Sequence, residues 1–277
     1  MPIRMLVIKE SEMPGIVPLN QWSMNRRAAV AGTAALVLCG GRLSIASGQD
    51  ATPAAQPTGD DDAVALLIDA ATAMTELETF AFTVVTARGE TTILEGFALE
   101  EVSGVVRRPT DFETTVTVAI PFASLDLTAV SIEGELWLNI PALGEMESGW
   151  QSLGSGDALL SLLNPDVLIL ESVQFIEDAA IDREGDIDGA AVSYVTGAVD
   201  FQSIAGDLFD GESAVPTEIA EGPVQLTIAV DDMSLVREIE IIGPLLSTES
   251  PDVIRLVAFT NFNEPVEIQE PDLPANT

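Results

Sequence analysis

The chain has 277 residues and carries 45 acidic side chains against 11 basic ones, with no histidine and a formal net charge of −34. Five of the basic residues (Arg4, Lys9, Arg26, Arg27 and Arg42) precede residue 48, so the remainder is more acidic still. Phosphate binding needs clustered lysine and arginine, which excludes a nucleic-acid partner and flat binding to an anionic membrane surface. Without histidine there is no Ser-His-Asp or Cys-His catalysis and none of the usual zinc sites. Lys9 is the single lysine, which removes Schiff-base and Walker-type roles from everything after it. Cys39 is the single cysteine, so no intrachain disulfide forms. At 47% apolar residues the chain is not a disordered acidic polymer, and the charge reads as solubility and self-repulsion.

Residues 24–48 have the order of an export signal. Arg26 and Arg27 come first, Ala28 to Gly41 carry no charge, and small residues follow. The apolar run is shorter than the about 20 residues that span a bilayer. Met24 is the expected start and 1–23 an extension without this pattern; Arg26-Arg27 also resembles a twin-arginine signal. Two exits remain open. Leu36-Val37-Leu38-Cys39-Gly40 resembles a bacterial lipobox, with Cys39 as lipid anchor and Leu38 where a small residue is usual. Alternatively the signal is cut at Ser44-Ile45-Ala46 or Ala46-Ser47-Gly48 and Cys39 is discarded. Residues 49–59 are small and proline-containing, and read as a flexible tether. The protein is therefore expected outside the cytoplasm, lipid-anchored or secreted.

One domain is expected over 60–274. Asp60-Asp61-Asp62 caps a helix whose stripe is Val64, Leu67, Ile68, Ala71 and Met74, ending near Glu78. Period-2 strands follow. Phe80, Phe82 and Val84 alternate with smaller residues, and Ile93, Phe97 and Leu99 continue the rhythm. Phe112, Val116, Val118 and Ile120 share a face against Thr115 and Thr117; Leu125 and Leu127 oppose Ser124, Asp126 and Thr128. Ile132, Leu136, Leu138 and Ile140 are read as one face. Helical stretches are expected over 157–175 and 201–209. Strands resume at 179–184 and 190–199 around an Asp188-Gly189 turn, then at 224–230, 235–242 and 253–260. The assembly is α+β: one large, curved antiparallel sheet packed over a few helices.

Several stretches resemble the LppX/LprA/LprF/LprG lipoproteins of mycobacteria. They are Ile132-Glu133-Gly134-Glu135-Leu136-Trp137-Leu138, Gly149-Trp150-Gln151-Ser152-Leu153-Gly154, Asp188 to Gly197, and the closing Phe259 to Ile268 with Asn263, Pro265, Val266 and Ile268. The likeness covers about 63–271 in order. It implies a LolA-like half-barrel enclosing an apolar cavity for acyl chains, hence an envelope lipid carrier or sensor with a lipid or lipoglycan as partner.

The cavity candidates are Phe97, Leu99, Phe112, Val116, Val118, Leu125, Leu127, Leu136 and Leu138. The same alternation would equally fill a dry core, so an envelope scaffold protein with an acidic partner-binding surface is the competing reading. A hydrolase using paired carboxylates ranks last, since no pair stands out. Glu184-x-Asp186-x-Asp188-Gly189 resembles the start of a calcium loop, but Val195 stands where the bidentate glutamate belongs. It reads as a solvated hairpin. Trp137 and Trp150 could line a site or cover the rim of the sheet. No cofactor, no metal and no catalytic residue is expected, and the chain is expected to be a monomer.

Overall fold

The computed structural model describes residues 57–94, 97–120, 123–140, 149–154, 173, 175–202 and 220–271. The export signal, Cys39 and most of the tether lie outside them, as do most of the helical stretches expected over 157–175 and 201–209.

Helix α1 spans Asp61–Glu76. Asp60 precedes it in extended conformation but makes no side-chain cap bond, so the expected capping is absent; Asp61 and Asp62 act on the positive end of the helix dipole. The buried residues are Ala63, Leu67, Ala70 and Met74, while Ile68 is 42% exposed. The buried face thus centres one position away from the stripe expected from bulk. That face includes two alanines, Ala63 and Ala70, and α1 packs against β8 (Glu177–Ile187) and β10 (Val224–Asp231).

The other strands are β1 (Thr79–Arg88), β2 (Thr91–Leu94), β3 (Phe97–Arg107), β4 (Asp111–Ile120), β5 (Ala123–Ile132), β6 (Glu135–Ile140), β7 (Gly149–Gly154), β9 (Ala190–Val199), β11 (Val236–Ile242) and β12 (Ile254–Thr260). They form one open sheet in the order β7-β6-β5-β4-β3-β1-β12-β11-β10-β9-β8, with β2 paired to β3. Every strand pairing in it is antiparallel. Two meanders therefore meet where β1 pairs β12. Strands β7 and β8 follow one another in sequence yet lie at opposite edges.

Turn chemistry splits what the alternation joined. Glu133 (φ 53°) and Gly134 (φ 82°) form a two-residue turn between β5 and β6, a geometry that glycine adopts freely and glutamate rarely. Ile132 belongs to β5 and pairs Glu135. It packs with Val130 and Trp137, on the opposite face from Leu136 and Leu138. The reading of Ile132 with Leu136 on one face is thereby corrected. Asp188 (φ 51°) and Gly189 (φ 85°) make the expected turn between β8 and β9.

A bulge in β3 also resets the alternation. The pairing with β4 shifts between Leu99 and Glu101, so that Leu99 faces Val118 and Val102 faces Val116 on the same side. Glu100 and Glu101 both stay exposed.

The last residues lock the sheet. Asn263 N–H donates to Thr79 O (2.8 Å), Glu78 N–H donates to Asn263 Oδ1 (2.7 Å), and Thr79 Oγ1 donates to Glu264 O (2.7 Å). Ile268 then buries itself with Val130 and Trp137 on the outer face, against Val105, Ile132 and Trp150. Trp137 and Trp150 therefore pack under this tail and not on the inner face.

Candidate functional site

Cross-strand partners share a face, so the registers define the inner surface of the half-barrel. Leu99, Val118 and Leu125 form one row; Val102, Val116 and Leu127 form the next. Phe82, Gly104, Thr114, Ala129 and Leu138 form a third, followed by Phe80, Val106, Phe112, Ser131 and Leu136. Every cavity candidate with a described side chain lies on this one face. Phe97 opens β3, but its side chain is outside the described ones.

Burial divides the face in two. Under α1 it is closed: Phe80, Val195, Val199, Ile228 and Phe259 are at most 1% exposed. Phe80 and Phe259 meet edge to face, with ring centroids 6.1 Å apart. On the side of β4, β5 and β6 the cover is incomplete. Leu99, Phe112, Val118 and Leu136 are buried, whereas Val116, Leu125, Leu127 and Leu138 are only half-buried. Val116, Leu125 and Leu138 pack against the core cluster; Leu127 is not part of it. The result is an apolar strip whose side chains are only partly covered. An apolar chain is the kind of group that such a strip can shield from water.

A pocket of about 390 Å³ lies at the loop end of the sheet, lined by Gln202, Ala220, Glu221, Pro244, Leu246, Ser247 and Glu249. Its lining mixes polar and apolar groups and includes none of the cavity candidates. Next to it sits a buried ion pair. Arg255 on β12 faces inward, in the same row as Thr86 and Ile241. Its guanidinium binds the Glu249 carboxylate and donates to Thr91 Oγ1 (2.8 Å) and Gly243 O (3.3 Å). The second Glu249 oxygen accepts from Leu245 N–H (2.7 Å) and Leu246 N–H (3.1 Å). The pair ties the 243–253 loop to the sheet through five hydrogen bonds.

The calcium-like stretch is an exposed hairpin in which Asp186 Oδ1 accepts from Gly189 N–H (2.9 Å). Among the described residues, no group of three or more acidic or cysteine side chains is placed to hold a metal. No helix among them is long and apolar enough to cross a membrane.

Asp111 joins β3, β4 and the β5–β6 turn. It accepts from Arg107 Nε (3.2 Å) and Nη2 (2.8 Å), Thr110 Oγ1 (3.2 Å) and Glu133 N–H (2.9 Å). Burial pushes its carboxyl up, but these bonds and the Arg107 charge outweigh burial and hold it below its ordinary value. A depressed folded pKa gives stability that is complete above the unfolded pKa of about 3.9 and is lost as pH falls through the folded value. Asp111→Asn should lower the unfolding free energy measured in urea at pH 7 by about 1 kcal/mol or less, because Arg107 is partly exposed. The gap to the parent should narrow below pH about 4. A gap of constant size across that range would assign the loss to something other than the charge.

Buried polar residues of the inner face, Thr114, Ser131 and Arg255 among them, escaped the sequence reading. Thr114 and Arg255 are polar, yet the alternation alone puts Thr114 with Phe112 and Val116, and Arg255 with Val257 and Phe259. Polar type was taken as a sign of the wet face.

No family model matches the chain, and no curated protein matches it in sequence. Solved structures do match. LprF from Mycobacterium bovis is 14% identical over 77% of this chain and 99% of its own, with a TM-score of 0.52. The lipoprotein LppX from Mycobacterium tuberculosis is 16% identical over 76% of this chain and 100% of its own, also with a TM-score of 0.52. The chain has the LppX and LprF fold: an open antiparallel half-barrel.

Proposed function

We propose that this protein is a non-enzymatic, extracytoplasmic lipid-binding protein that holds acyl chains against the inner face of its half-barrel. The observation that carries the reading is the half-buried strip of Val116, Leu125, Leu127 and Leu138, on a fold that matches 76% of this chain to the full length of a solved lipoprotein. In this reading Leu99, Phe112, Val118 and Leu136 form the floor of the site, with Phe97, which opens β3, as a further lining candidate. Burial in such a strip yields about 0.8 kcal/mol per methylene, so one long chain suffices for useful affinity. None of the assigned residues does chemistry. The chain ends either tethered through Cys39 or released beyond it.

The closed half under α1 favours the second reading, an envelope scaffold with a filled core. One experiment separates them. The full chain and Cys39→Ser are expressed, fractionated, and the protein from each fraction is analysed by native mass spectrometry. The carrier reading expects co-purified lipid, and the tether expects Cys39→Ser to leave the membrane fraction. An empty protein that also refuses fluorescent acyl probes sinks the carrier reading.

A further inference from the structure

Among the described residues, the inner face contains one buried side-chain polar atom that the fold does not use. Thr114 is 2% exposed, and its Oγ1 is a buried side-chain atom with no hydrogen-bond partner. Buried hydroxyls nearly always find a partner, because leaving one unpaired sacrifices its hydration with nothing in return. Valine has almost the same shape and would avoid that loss.

The surroundings of Thr114 are small. It pairs across the ladder with Gly104 on one side and Ala129 on the other. A Cβ added to Gly104 would come within 2.4 Å of Glu113 O and 2.9 Å of both the Phe82 ring and Thr114 Oγ1, so the hydroxyl lies close against the bare Gly104 backbone. The next residues inward along β4 and β5, Val116 and Leu127, belong to the half-buried strip. A turn about χ1 from one staggered well to the next re-aims the hydroxyl without moving the backbone.

We infer that Thr114 is a positioning contact for the ligand: its hydroxyl donates to a carbonyl oxygen of an acyl ester, fixing where the head of the chain stops. This rests on the lipid-binding reading and narrows it to esterified acyl chains. The hydrocarbon supplies the affinity, and the single buried donor selects the ester over an apolar or ether-linked chain.

The test compares two fluorescent probes of equal chain length, a diacylglycerol ester and its dialkyl ether, on the full chain, Thr114→Val and Thr114→Ser. Ester affinity should fall about fivefold in Thr114→Val, the equivalent of one ordinary hydrogen bond. Ether affinity should stay as in the parent, and Thr114→Ser should retain ester binding. The urea midpoint of Thr114→Val should rise, which separates lost contact from lost fold. A parent that binds both probes equally well, with Thr114→Val unchanged toward each, overturns the inference while leaving the lipid-binding reading standing. A parent that binds neither overturns both.

Discussion

Replacing Arg255 by alanine should lower the free energy of unfolding by about 3–5 kcal/mol, the range for removing one partner of a buried ion pair. The side chains of Arg255 and Glu249 are 4% and 0% exposed. Without the guanidinium, Glu249 keeps only the two amide donors of Leu245 and Leu246, and its charge is left uncompensated away from water. Thr91 and the Gly243 carbonyl lose their donor at the same time. Urea unfolding at pH 7 measures the loss. Arg255→Met combined with Glu249→Gln should recover a large part of it, because that pair leaves no unmatched charge. A single variant within about 1 kcal/mol of the parent would place the pair in the range of surface bridges and reject its structural role.

Glutamate at position 127 should weaken acyl-probe binding about tenfold or more. Leu127 faces inward opposite Val116, is half-buried, and lies outside the packed core cluster. In the empty protein a carboxylate there keeps part of its hydration, so stability should change little. With an acyl chain bound it must be buried against hydrocarbon or protonated, and either costs more than the 1.4 kcal/mol that makes a factor of ten. Asp126→Asn, one residue away on the opposite face, should leave uptake unchanged. Parental uptake by a folded Leu127→Glu protein would remove the strip from the binding site.

Much of the fold was legible because the physics that makes strands also writes their pattern. Phe80, Phe82 and Val84, then Phe112, Val116 and Val118, then Leu125 and Leu127, all lie on the face that their spacing assigned. Asp188-Gly189 marked its turn because both residues tolerate positive φ. Two places misled and a third went unread. Glu133-Gly134 hides a turn behind a residue that seldom adopts φ near 53°, which sent Ile132 to the wrong face. Ile68 outranks Ala70 in hydrophobicity, yet the helix turns its smaller residues to the sheet. The Leu99–Val102 bulge changes which parity faces inward, and consecutive glutamates at 100 and 101 were its only trace.

The sequence by itself determined that this is an acidic, sheet-rich protein without histidine chemistry, with an apolar inner face on most strands. Those are properties of composition and local period, which neighbouring residues alone define. Only the tertiary structure decided that β1 pairs β12 and that β7 and β8 end at opposite edges, because strand order depends on contacts between residues far apart in the chain. It alone divided the inner face into a closed half under α1 and a half-open strip, since alternation says which way a side chain points and nothing about what covers it. The same holds for Thr114 and Arg255. Their direction was written in the period, but what distant segments place beside them decides that one is unpaired and the other held in a buried ion pair.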